Sequence, residues 1–337
     1  MATPPELGRS RYAQVTSTTR AIVERVQEIW RGLSAVSIED DLLGDAGAAI
    51  VDAVVEGQVS VAQAAQAYVA AQMAAQGGTA LAEATLVATA FAGIAPDGGP
   101  LETLLFLPAI GVRRRLAAGL SPEEAMLGGL ADMARYVSTA VSDTARSADM
   151  VGMAANPACV AYMRVVQLPA CSRCIVLAGQ TYSRSEGFLR HPNCDCQTLP
   201  LRRHEWADVP SPEELYERMS EQERRRVFTN AGARALADGA DMGQVVNARR
   251  GMDVAHIYGR RLSVTHEGAT RRAVYGRSRD RAGDQMSRFA GQRNGSPTSM
   301  RYFRSTRTPR LMPEEIFRIS DDRAEELRLL RRYGYIV

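Results

Sequence analysis

The chain of 337 residues contains no lysine; all 41 of its basic residues are arginine. Lysine codons are AT-rich, so a GC-rich genome accounts for the bias, but the chemical consequence stands. There is no P-loop amine for a nucleotide phosphate, no Schiff base and no Ser-Lys dyad. Every cation is instead a planar, permanently charged guanidinium suited to phosphate and carboxylate. Histidine is nearly as scarce: there are four, and none lies in residues 1–150. A histidine-dependent protease therefore cannot sit in that region. Aromatic residues make up only 6%, and a core of Ala, Val and Leu with few rings points to packed helices rather than a β-sandwich. No run of ~18 uncharged apolar residues occurs, so no membrane span is expected. Residues 1–15 lack the apolar centre of a secretory signal. The expected setting is a bacterial-type cytoplasm, where the five cysteines serve as metal ligands or buried thiols rather than disulfides.

What is present suffices for real cores: 45% of residues are hydrophobic, and the length suggests two or three compact units. Charge is divided unevenly. Residues 1–150 carry 10 arginines against 17 acids, whereas residues 151–337 carry 31 against 21. The two halves should therefore favour different electrostatic partners.

The pattern predicts a mainly α protein. It has a helical N-terminal domain over residues 1–155, a small α+β Cys/His module over 156–206, a helical segment over 207–248 and an Arg-rich C-terminal region over 249–337. Ile22, Val23, Val26, Ile29 and Trp30 follow helical spacing within Arg11 to Leu33. Ala46 to Val55 and Val59 to Met73 read as two Ala-rich helices. Leu101 to Val112 reads as a core helix and turn interrupted at Pro108. Ser121-Pro122-Glu123-Glu124 is an explicit start, with a capping serine, a proline suited to the first helical position and a glutamate that closes a capping box. Ser211-Pro212-Glu213-Glu214 and Ser220-Glu221-Gln222-Glu223 repeat this signal. Residues 232–248 read as a helix pair, and Met312-Pro313-Glu314-Glu315 opens a last amphipathic helix. In the module, Val165 to Leu168 and Ile175 to Leu177 are expected as short strands, with a turn or hairpin at Gly179-Gln180-Thr181-Tyr182.

All five cysteines fall in that module. Cys171-Ser172-Arg173-Cys174 is followed by His191-Pro192-Asn193-Cys194-Asp195-Cys196. A C-x2-C knuckle presents two thiolates to one ion, and a second close-spaced group can complete a tetrahedron, as in structural zinc sites. The five candidate metal ligands are Cys171, Cys174, His191, Cys194 and Cys196. The first three are placed in the shell, and the fourth position is open between Cys194 and Cys196. Cys159, twelve residues upstream in helical context, is expected to be a buried thiol. Donor softness favours zinc, and an ion would staple a module too small to hold itself by apolar burial. The competing reading is a set of core cysteines without metal. Enzyme patterns fare worse. A zinc deaminase needs H-x-E before P-C-x-x-C, but no histidine precedes His191. The sequence His204-Glu205 does not continue as H-E-x-x-H. Neither Glu186 nor Asp195 stands at a catalytic spacing, and no nucleophile turn accompanies His204, His256 or His266. No catalytic residue is assigned.

Residues 150 to 201 resemble the Mu F-type minor head protein domain of tailed bacteriophages. The resemblance rests on Pro169-Ala170-Cys171-x-x-Cys174, Gly179-x-x-Tyr182 and His191-Pro192-Asn193-Cys194-x-Cys196. The all-arginine usage and the ending Arg331-Arg332-Tyr333-Gly334-Tyr335 are similar to members from phages of GC-rich actinobacteria. It implies a minor capsid protein of the virion, present in few copies, associated with the portal vertex and the major capsid protein and acting in head morphogenesis and DNA packaging or delivery. It also implies assembly in the host cytoplasm. Some relatives are maturation proteases, so the alternative is a capsid maturation protease or metal-dependent hydrolase built on the Cys/His cluster.

Residues 249–310 hold 15 arginines against four acids. Arg249-Arg250, Arg260-Arg261 and Arg271-Arg272 recur at eleven-residue intervals, a spacing that would place them near one face of a helix. Tyr258, Tyr275, Phe289, Tyr302 and Phe303 are interleaved. Such a segment would bind packaged double-stranded DNA without sequence preference and with steep salt dependence. It would equally suit docking on protein, including the acidic N-terminal half.

Overall fold

The computed structural model describes residues 2–79, 81–184, 187, 191, 194, 196–203, 209–257, 260–267 and 305–336. The protein is mainly α-helical. It divides into two compact units, one of Met1–Leu168 with Leu177–Ser211 and the other of Pro169–Val176 with Pro212–Val337.

The first unit is a helical bundle carrying a small sheet. Its helices are α1 (Pro4–Arg31), α2 (Ile38–Leu43), α3 (Asp45–Gln63), α4 (Ala65–Ala75), α5 (Leu101–Ala117) and α6 (Pro122–Ala155). The longest, α6, starts where the sequence predicts: Ser121 Oγ accepts from the Glu124 amide and the Glu124 carboxylate accepts from the Ser121 amide. It packs against α1, α3, α4 and α5. Val15, Ile22, Val26 and Trp30 of α1 form a buried stripe against Met133, Val137, Val141 and Ala145 of α6. The helices approach closely where glycine allows it. A Cβ on Gly129 would lie 2.5 Å from Val112 and 2.7 Å from the Trp30 ring.

Two local expectations for this bundle are corrected. Pro108 does not interrupt α5; it lies buried inside the helix. The ring removes one backbone hydrogen bond, and burial of Leu105, Ala109 and Val112 on the same face holds both halves in line. The Ala-rich pair divides at Ala64 rather than between Val55 and Val59. Gly57, between the two expected helices, is a mid-helix contact: a Cβ there would lie 2.8 Å from Ile22.

After α6 come β1 (Ala161–Val165), β2 (Thr181–Ser183) and β3 (Gln197–Leu201), antiparallel in the order β2-β1-β3. Tyr162 pairs with Tyr182 on one side and Pro200 on the other. Tyr68, Val69 and Met73 of α4 pack with Met153, Cys159 and Tyr162 beneath the sheet. The Tyr68 hydroxyl donates to the Thr198 carbonyl at 2.8 Å. The turn at Gly179, with φ of +74°, leads into β2. Ile175 to Leu177 form no strand: Ser172–Ile175 is the short helix α7, because the knuckle at Cys171 closes i→i+3 and i→i+4 backbone bonds.

The second unit contains α7, α8 (Pro212–Glu217), α9 (Glu221–Phe228), α10 (Asn230–Ala237) and α11 (Met242–Ala248). These precede β4 (Met252–Ile257), β5 (Arg260–Glu267) and β6 (Ser305–Leu311), antiparallel in that order. Two C-terminal helices, Pro313–Ile319 and Arg323–Arg332, replace the single one expected. The first ends at Ser320, and Asp322 caps the second by accepting from the Glu325 amide. Val245, Val264, Leu311, Ile316, Leu330 and Tyr335 form the core of this unit. Among the described residues, no helix is long and apolar enough to cross a membrane.

Candidate metal centre

Cys171 occupies the N-cap position of α7, and the following turn sets its Sγ 3.5 Å from that of Cys174. In a tetrahedral shell with metal–sulfur bonds of ~2.3 Å, neighbouring sulfurs lie about 3.8 Å apart. The knuckle already has the span of one such edge. His191 joins it, so that ligand atoms of Cys171, Cys174 and His191 all lie within 4.8 Å of one another. Cys174, Cys194 and Cys196 form a second group within the same limit. Cys174 is common to both groups. This Cys/His group could hold a metal ion. Cys174, Cys194 and Cys196 are buried, His191 is half-buried and Cys171 is exposed.

Cys159 stands apart from both groups. It follows α6 in a turn rather than lying in the expected helix, with its amide donating to the Asn156 carbonyl. Its thiol donates to the Ala161 carbonyl at 3.4 Å. Burial pushes that thiol up to about 11, which makes it a packing residue rather than a reactive one.

Two buried arginines support the Cys194–Cys196 pair. Arg146 of α6 donates from one nitrogen to the carbonyls of Cys194 at 2.8 Å and Cys196 at 3.0 Å. Its other terminal nitrogen pairs with Asp143 one turn earlier. Arg164 of β1 points a terminal nitrogen at the Cys194 Sγ, 3.7 Å away. A guanidinium beside a thiol favours the thiolate, which is the form that ligates metal. These residues were missed at the level of sequence. Where all cations are arginine, type does not distinguish a buried support from a solvated charge. The only available signal was the placement of Arg146 on the apolar stripe of α6, between Ala145 and Ala148.

A second buried network lies behind β3. Arg11 of α1 pairs with Asp149 of α6 at 2.8 Å, donates to the Val61 carbonyl at 2.9 Å and lies over the Tyr68 ring. Thr198 of β3 reaches the same carboxylate at 3.5 Å. Burial pushes the Asp149 carboxyl up to about 6, against the opposing pull of Arg11.

The arginine pairs do not share a helical face. Arg249 and Arg250 sit in a single turn of 3-10 helix, while Arg260 and Arg261 lie on β5 opposite Ile257 and His256. The reason is the period-two alternation of the segment, which forms a hairpin. Arg249 donates to Thr229 Oγ1 and lies 3.9 Å from Glu314; Arg250 lies 3.9 Å from Glu267. Arg261 is exposed. Arg310 is buried, donating to the carbonyls of Glu267 and Tyr333 at 2.9 Å each. His266 lies 3.5 Å from Asp253 on the hairpin. Arg271, Arg272, Glu186, Asp195 and His204 fall outside the described residues.

Compared with protein-family models, with curated proteins and with solved structures, the chain finds no match.

Proposed function

We propose that this chain is a minor head protein of the tailed-phage Mu F type, built into the virion beside the portal vertex and acting in head assembly and DNA packaging or delivery. The observation that supports this most is that Cys171, Cys174 and His191 form one group of possible metal ligands and Cys174, Cys194 and Cys196 another. The spacing that resembles the family is also a spacing that folds into a ligand cluster. The ion would be zinc, since three thiolates with one imidazole form a soft, tetrahedral donor set. When bound, it would act as a structural staple. Five donors for four positions leave none reserved for a reactive water, which favours a structural ion over a hydrolytic one.

The portal and the major capsid protein are the partners this reading names, with packaged double-stranded DNA as a non-specific contact of the Arg-rich region. Assembly would take place in the host cytoplasm. Quantitative mass spectrometry of purified particles tests the proposal by counting this chain against the portal. A few intact copies per particle are expected. If the chain is confined to immature heads, the reading gives way to a transient assembly factor or the maturation protease.

A further inference from the structure

Exposure divides the five cysteines. Cys159 and Cys196 are fully buried and Cys174 and Cys194 are 2% exposed, whereas Cys171 is exposed. A thiol must be reached before it reacts, so a solute meets Cys171 first. Cys194 and Cys196, both buried, offer no such entry.

The sulfur that Cys171 meets next is fixed by the backbone. Ser172 and Arg173 are helical, which holds the Cα atoms of Cys171 and Cys174 about 5 Å apart, inside the range a disulfide spans. The Cys171 carbonyl clamps that turn by accepting from the amides of Cys174 and Ile175 at 3.0 Å each. The two Sγ atoms lie 3.5 Å apart, in van der Waals contact. A closure of about 1.5 Å by side-chain rotation gives the ~2.05 Å of a sulfur–sulfur bond.

We infer that, in the metal-free chain, Cys171 is an oxidation site for a small-molecule disulfide of the glutathione kind, with Cys174 as the resolving thiol. The Cys171 sulfur attacks one sulfur of the small disulfide and expels one thiol. Cys174 then attacks the Cys171 sulfur and expels the second. One protein disulfide forms as the small-molecule disulfide breaks. Two protein thiols are oxidised, and their protons leave on the two small thiols that the reduction yields. Cys174 belongs to both donor groups, so the disulfide removes a donor from each and confines metal loading to reducing conditions. That consequence rests on the metal-centre reading; the disulfide does not.

The test treats the full chain, reduced and stripped of metal by a chelator, with oxidised glutathione at neutral pH, and alkylates the remaining thiols after unfolding. Trypsin cuts after Arg173, between the two cysteines, so their disulfide appears in the mass spectrum as two joined peptides. The joined pair should form roughly tenfold faster than any other cysteine is lost. In Cys174→Ser the reaction should stop at a glutathione adduct on Cys171. Zinc uptake, read with a chromogenic indicator, should be lost from the oxidised chain and return on reduction. Oxidation first at Cys159, Cys194 or Cys196, or a glutathione adduct that persists on Cys171 of the native chain, overturns the site. Joined peptides with undiminished zinc uptake overturn the control of metal loading. A reduced chain that takes up no zinc overturns the metal-centre reading instead, and the joined peptides still decide the disulfide.

Discussion

The guanidinium of Arg146 lies 3.0 Å from the carbonyl oxygen of Cys196, with both side chains buried. A side chain from the longest helix of the bundle thereby fixes the backbone that carries two of the five sulfur and nitrogen donors. Groups that hold ligands typically change metal affinity by roughly 10–100-fold when lost. Arg146→Met should weaken metal binding by that factor in a competition against a chromogenic chelator. It should also cost about 3–5 kcal/mol in urea unfolding, because Asp143 is left buried without its cation. Adding Asp143→Leu should recover much of that stability without recovering the affinity. If affinity returns with stability, Arg146 acts only through the fold.

The cysteines should separate by reactivity. With metal bound, Cys171, Cys174, Cys194 and Cys196 are expected to resist a maleimide at neutral pH, and chelation should release them. Cys159, buried and with its thiol pushed up to about 11, should stay unlabelled in both states until the chain unfolds. Mass spectrometry of the labelled peptides reads each site. Cys171→Ser should lose the metal and destabilise the fold together. A folded Cys171→Ser variant that has lost a hydrolytic activity would transfer the cluster from structure to catalysis.

Much of this architecture is local and so could be read from sequence. The capping boxes at Ser121 and Ser220 place two helix starts to the residue, because the cap is made within four residues. The donors of the Cys/His cluster were legible for the same reason: each half is a short-range spacing. What failed depended on neighbours distant in the chain. The division expected between Val55 and Val59 falls where Gly57 packs against Ile22 inside one helix, and Pro108 reads as an interruption until the bundle encloses it. Arg11, Arg146 and Arg164 have the composition of surface residues and the environment of a core. No spacing rule separates Arg146 from the exposed Arg20.

The pair between Arg11 and Asp149 predicts an acid-side effect. Burial raises the Asp149 carboxyl from 3.8 to about 6 in the folded chain. The folded state therefore holds a proton that the unfolded state releases between those values. Its contribution to stability is fully present below about pH 4 and is lost as pH rises to about 6. By the usual 1.36 kcal/mol for each unit, the change is roughly 3 kcal/mol. The stability of the native chain relative to Asp149→Asn should decline across that window and stay level above it. Denaturant titrations of both proteins at pH 4.5, 5.5, 6.5 and 7.5 measure the difference directly. A flat difference would mean that Arg11 keeps the carboxylate ionised throughout.

The Arg-rich region offers a test in which the two kinds of partner separate cleanly. Arg249 and Arg250 already lie near Glu314 and Glu267, and Arg310 is buried in the core of its unit. Arginines committed in this way are poor candidates for counterion release from DNA. Arg260, Arg261, Arg271 and Arg272 remain the residues to replace. If they neutralise phosphates, changing all four to glutamine should lower the slope of log affinity against log salt by about 0.9 for each phosphate they pair with. The expected drop is therefore up to about 3.6 in the slope measured on a random-sequence duplex. An unchanged slope with weakened capture by portal or capsid protein would assign the segment to protein docking. The acidic N-terminal half would then be the model for the kind of surface it recognises.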